Sequence, residues 1–92
     1  MAPKWIVTVD KKVEQKQIPR LPEEVQLLAY EAIEDLKNEG PMPFGWNAKK
    51  LKGTKYRLRL KREYRMVYHV VRQIITIQII FAGHRKDAGR HY

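Results

Sequence analysis

Arg57 and Arg59 stand two residues apart, Arg65 follows a few positions later, and Arg85 lies further along the same basic half of the chain. Between Lys49 and Arg65 there are nine basic side chains (Lys49, Lys50, Lys52, Lys55, Arg57, Arg59, Lys61, Arg62, Arg65) and a single acid, Glu63. A spacing of two puts Arg57 and Arg59 on one face of a strand. A short hairpin brings Arg65 beside them, and Arg85, just past the next strand, reaches the same face. Guanidinium groups gathered without carboxylates repel one another unless an anion neutralises them. The planar fork of arginine suits phosphate oxygens, which it binds in pairs. The expected chemistry is therefore phosphate binding, with Lys49, Lys50, Lys52, Lys55, Lys61 and Arg62 as further contacts to a nucleic-acid backbone.

Proton transfer or base stacking would fall to His84, His91, Tyr92, Tyr64 and Tyr68. Tyr64 and Tyr68 alternate with Arg65 and are expected in the core, and Tyr92 is the last residue of the sequence. Metal and cofactor sites are not expected: there is no H-x-x-x-H or D-x-D arrangement, no cysteine and no glycine-rich phosphate loop. A nucleophilic triad has no serine to build on in the basic half, where Thr54, Thr76 and tyrosines are the only hydroxyls.

Charge is divided unequally along the chain. Residues 1–48 carry six basic and eight acidic side chains, whereas residues 49–92 carry thirteen basic and two acidic ones. The second half, a net +11, predicts a polyanionic partner on one face. With 92 residues and 43% hydrophobic content, a single folded domain over 1–92 is expected. Met1 to Val9 lacks a signal-peptide stretch, and the apolar run Ile74 to Ala82 is too short to span a bilayer. A soluble cytoplasmic protein with no membrane partner is the expectation.

The positioning elements follow from periodicity. Trp5 to Val9 reads as a strand. Asp10 is placed to cap a helix over Lys11 to Ile18. A second helix is expected from Pro22 to about Asn38, with Glu23 and Glu24 at its positive end and Val25, Leu28, Ala29, Ala32, Ile33 and Leu36 as its apolar stripe. Gly40-Pro41 ends it. Gly40 to Gly53 reads as a long loop anchored by Phe44 and Trp46. Lys55 to Lys61 alternates Tyr56, Leu58 and Leu60 with cations, a half-buried strand. Tyr64 to Val71 is the next strand, and Ile74 to Ala82, apolar on both faces, a central one ended by Gly83. The result is an α+β fold of order βααβββ, with two N-terminal helices on one face of a small antiparallel sheet and an open cationic face opposite.

The series Leu51-Lys52-Gly53, Tyr56-Arg57-Leu58-Arg59, Tyr64-Arg65-Met66-Val67-Tyr68 and Gly83-His84-Arg85-Lys86-Asp87 resembles the RelE/ParE superfamily of toxins over nearly the whole chain. The resemblance implies a cognate antitoxin protein, no small-molecule cofactor, and metal-free cleavage of mRNA in the ribosomal A site by attack of a 2′-hydroxyl on the adjacent phosphate. It also implies that Arg57 and Arg59 occupy positions where RelE proper carries lysines, that Arg65 and Arg85 match family arginines, and that His91 or Tyr92 falls near the family's C-terminal tyrosine. Arginine stays protonated, so a general base must come from Lys52, Lys55, His84 or His91, or the catalysis is mainly electrostatic. Two other readings are compatible with these residues: a ParE-like inhibitor of DNA gyrase, and an RNA-binding relative that grips phosphate without cutting.

Overall fold

A computed structural model describes residues 4–91; Tyr92, a candidate site residue, lies outside them. The fold is α+β, with helices packed on a five-stranded sheet of order β1-β5-β4-β3-β2. The strands are β1 (Ile6–Val9), β2 (Asn47–Lys50), β3 (Lys55–Lys61), β4 (Tyr64–Val71) and β5 (Thr76–His84). Helix α1 spans Glu23–Glu39 and a short α2 spans Arg85–Ala88. No helix among the described residues is long and apolar enough to cross a membrane.

Helix α1 forms as its pattern dictates. Pro22 precedes it, Glu23 and Glu24 occupy the first turn, and Val25, Ala29, Ala32, Ile33 and Leu36 are buried. Gly40 closes it with φ 90° and ψ −163°, a backbone region that essentially only glycine occupies. A Cβ at Gly40 would also lie 2.8 Å from the Trp5 indole nitrogen. Gly40→Ala should therefore cost about 1–3 kcal/mol in a urea melt.

The first helical segment differs from expectation. It is π-helical over Val13–Gln17 and 3₁₀ over Ile18–Arg20, with Val13 and Ile18 buried. The Asp10 side chain does not cap it; Gln78 Nε2 donates to Asp10 Oδ1 at 2.7 Å instead, tying β1 to β5. Proline at position 19 favours the tight terminal turn.

Three further corrections concern the sheet. Asn47–Lys50, read as loop, is an edge strand antiparallel to β3. Its residues are polar and too few to show a period, and β3 supplies their hydrogen-bond partners. Trp46 anchors the preceding loop, its Nε1 donating to Asp35 at 2.8 Å, whereas the Phe44 ring is 91% exposed and only its backbone N–H holds the loop, donating to Glu39 Oε1 at 2.9 Å. The first strand is parallel to its neighbour β5, not antiparallel, because β1 lies at the edge reached last by the β2–β5 meander. The final strand starts later than expected and runs through Gly83 to His84. Residues Arg72–Ile74 form a 3₁₀ turn, with Ile75 left-handed at φ 48°.

The core is built from Val25, Ala29, Ala32, Ile33 and Leu36 of α1, with Leu28 of the expected stripe left outside it, and from Val13, Ile18, Tyr56, Leu58, Leu60, Met66, Tyr68, Val70, Ile77, Ile79 and Ala82. The β4–β5 register shifts between Val67 and Tyr68, whose partners are Phe81 and Ile79. Ile80 is thus the extra residue of a bulge, and the alternation of β5 reverses there. Ile77 and Ile79 face the helices before it and Ala82 after it, while Phe81 turns to the opposite face. Phe81, Val67 and Ala88 form a second small cluster on that face. The face expected to be open is consequently half covered by the C-terminal segment.

Candidate active site

The remaining part of that face is a cleft of about 520 Å³ lined by Lys49, Leu51, Arg57, Arg59, Arg65, Arg85 and Lys86. Strand pairing explains the assembly. Lys49 lies opposite Arg57, Arg59 opposite Arg65, and Arg65 opposite Gly83, two residues before Arg85. Of the seven lining residues, six are cationic and none is acidic. Arg57 Nη1 is buried with no hydrogen-bond partner among the described residues. A buried guanidinium nitrogen with nothing to donate to is costly, and an anion in the cleft would supply the acceptor.

Arg65 and Arg85 are held by the β3–β4 turn. Arg65 is only 8% exposed; its Nη1 donates to the carbonyls of Arg62 and, at 3.1 Å, Tyr64. Arg85 Nε lies 2.7 Å from Glu63 Oε2, and its backbone N–H donates to Glu63 O at 2.6 Å.

The structure brings together Arg57, Arg59, Arg65, Arg85 and Lys49; the other described candidates do not line this cleft. Lys50 is adjacent to Lys49 on a strand and so faces the other way, lining a small hollow with Tyr56 and Arg72. Lys61 is shifted by a register irregularity after Arg59, and its Nζ pairs with Glu24 of α1 at 2.8 Å. The same contact holds the Glu24 carboxyl below its ordinary pKa, through the hydrogen bond and charge of Lys61. Lys52 and Arg62 are exposed in turns, and Lys55 stands at the far end of β3.

His84 does not line the arginine cleft. Its Nδ1 accepts the Lys86 N–H at 3.2 Å, capping α2, and its ring meets Tyr64 edge-on with centroids 5.8 Å apart. His84 and His91 line a neighbouring groove of about 460 Å³ together with Gln17, Tyr64, Phe81 and Asp87. The His91 ring packs on Phe81 with centroids 4.8 Å apart. Burial, then the charges of Lys12, Lys55 and Arg90, push its pKa below 6.5. His91 should therefore be neutral at pH 7, with an NMR titration midpoint below 6.5. The folded state resists its protonation, so this contribution to stability is present above pH 6.5 and is lost as pH falls through the lowered value.

Sequence reasoning missed Lys86 and Glu63. Glu63 had a signal, as the lone acid of a basic run at a turn. Lys86 follows Arg85 directly, and only the helical turn of α2 brings both into one cleft.

A helix-backed sheet of this strand order is the fold this chain shares with solved RelE structures. No protein-family model and no curated protein matches the sequence. Solved structures do match. The chain is 28% identical to one from the archaeal RelE–RelB complex of Pyrococcus horikoshii OT3, covering 89% of this chain and 96% of that one with a TM-score of 0.78. A chain of the RelB–RelE antitoxin–toxin complex of Methanococcus jannaschii is 23% identical, covering 92% and 98% with a TM-score of 0.75. Free E. coli toxin RelE with two arginines replaced by alanine is 19% identical, covering 99% and 92% with a TM-score of 0.73. The chain thus shares its fold with solved toxins of the RelE/ParE type.

Proposed function

We propose that this chain is the toxin of a type II toxin–antitoxin pair and an endoribonuclease that cuts mRNA in the ribosomal A site. The observation that carries the reading is a cleft lined by six cations and no acid, one of which, Arg57, has a buried Nη1 with no partner among the described residues. In the proposed reaction a 2′-oxygen attacks the adjacent phosphorus while its proton passes to a base. The pentacoordinate phosphorane gathers negative charge, and the 5′-oxygen leaves with a proton. The products are a 2′,3′-cyclic phosphate and a 5′-hydroxyl. Arg57, Arg59, Arg65 and Arg85 would hold the phosphate and stabilise the phosphorane, so no metal is required for charge neutralisation.

Arginine does not release a proton in proteins, which leaves Lys49 and Lys86 as the cleft residues able to do so. His91 lies in the adjacent groove and is disposed toward its neutral, proton-accepting form. The scarcity of proton-transfer groups in the cleft favours one second reading, an RNA-binding relative that grips phosphate without scission. Such a protein would lose RNA affinity with salt, at a log–log slope of about −0.7 per phosphate contacted, and leave the strand whole.

An antitoxin partner is supported by the complexes among the similar structures and by an uncovered apolar patch. Ile6, Ile74 and Ile75 are 60%, 62% and 49% exposed around the free edge of β1. The site of action would be the cytoplasm, where mRNA and ribosomes meet.

The test is purified protein on ribosomes programmed with a defined mRNA, with EDTA present, and the cut mapped by primer extension. A break between A-site nucleotides ending in a cyclic phosphate is the expected result. Intact mRNA on competent ribosomes would refute the nuclease. Inhibition of gyrase supercoiling by the same preparation would then identify the ParE activity.

A further inference from the structure

We infer that Glu63 is a positioning residue, which uses the β3–β4 turn to fix the Arg85 guanidinium in the cleft in the orientation that receives phosphate. The inference rests on the phosphate-binding reading of the cleft.

Glu63 is the single acid between Lys49 and Arg65, and it stands at the turn of the hairpin. It holds Arg85 twice. Its carbonyl accepts the Arg85 backbone N–H at 2.6 Å, which sets where α2 begins. Its carboxylate takes the side-chain Nε at 2.7 Å, which sets the plane of the guanidinium. His84 Nε2 lies 3.7 Å from the same carboxylate oxygen, and its ring meets that of Tyr64 edge-on. The neighbouring carbonyls of the same turn hold Arg65. One turn, with Arg62 in a left-handed conformation at φ 45°, therefore orients two of the four arginines.

A carboxylate beside a phosphate site is unfavourable to the ligand by charge alone. Nor is stability an adequate reason for it, because both side chains are about half exposed, and exposed pairs contribute little. These two considerations give the positioning role a sign of its own. If Glu63 acts only as a nearby negative charge, removing it speeds cleavage and tightens RNA binding. If it orients Arg85, removing it does the opposite. The loss then exists only while Arg85 is present to be misplaced.

The experiment is a double-mutant cycle on wild type, Glu63→Ala, Arg85→Ala and the double variant, with Glu63→Gln as the conservative partner. Single-turnover cleavage on programmed ribosomes is measured beside affinity for a 2′-deoxy, uncleavable oligonucleotide. Glu63→Ala should slow cleavage roughly ten- to hundredfold, the scale of a misplaced catalytic group. Glu63→Gln, which keeps an acceptor for Nε, should recover most of the rate. In the Arg85→Ala background Glu63→Ala should have no further effect. Cleavage or binding by Glu63→Ala at or above the wild-type level overturns the inference, as do equal losses in both backgrounds. Wild-type protein that cuts nothing refutes the nuclease reading alone. The oligonucleotide affinities still decide on Glu63, because its removal must weaken binding only when Arg85 is present.

Discussion

Arg85→Ala and Arg65→Ala should each lower the rate of ribosome-dependent mRNA cleavage by on the order of 10²–10³, the usual cost of removing one donor aimed at a developing oxyanion. The two substitutions reach the same step by different routes. Arg85 is an exposed side chain at the cleft wall, joined to the fold through Glu63, so its alanine variant should keep the wild-type melting temperature. Arg65 is buried and bonded to the turn carbonyls, so its loss should also lower stability. Arg65→Lys separates the contributions: the positive charge remains, but the planar fork that meets two oxygens at once does not. Full activity in both Arg65→Ala and Arg85→Ala would show that phosphate is held elsewhere.

The largest effect on stability is expected at Tyr68. The side chain is fully buried, stacks on Tyr56 with ring centroids 5.8 Å apart, and donates its hydroxyl to Pro41 O at 2.6 Å. That hydrogen bond fastens the loop after α1 to the centre of the sheet. Tyr68→Ala should cost about 3–5 kcal/mol, as truncation of a buried aromatic does. Tyr68→Phe keeps the packing and orphans a buried carbonyl, for about 1–3 kcal/mol. Chemical denaturation of the two variants resolves packing from hydrogen bonding. Burial also raises the Tyr68 pKa above its ordinary 10.0. Above pH 10 the unfolded chain releases this proton more readily than the folded one. The contribution is therefore complete below pH 10 and declines as pH rises beyond it.

Where the chain alternates or repeats at helical spacing, its sequence was sufficient to place the structure. The α1 stripe, the two-residue alternation of β3 and the hairpin before Tyr64 all appear where the pattern puts them. The convergence of Arg57, Arg59, Arg65 and Arg85 follows from the same periods. Features set by partners distant in sequence were not legible. Asn47–Lys50 is a strand because β3 lies beside it, and β1 is parallel because of where the meander returns. The Ile80 bulge reverses the phase of β5, which no local pattern marks. Side-chain reach had the same effect on the site. Lys61 and Lys50 belong to the basic run but serve the helix side, and His84 spends its Nδ1 on a cap.

The pairing of β1 with β5 also bears on the order in which the molecule can come together. Ile6 waits for Thr76, seventy residues further along the chain. During synthesis β1 is made first, yet the strand it pairs with is made near the end. Closing so long a loop carries an entropic cost that local contacts cannot offset early. Only after β5 forms can Arg85 and Lys86 wall the cleft and Phe81 pack behind it. A nascent chain that stops short of β5 would thus hold three of the four arginines without the enclosure that gives them a common target.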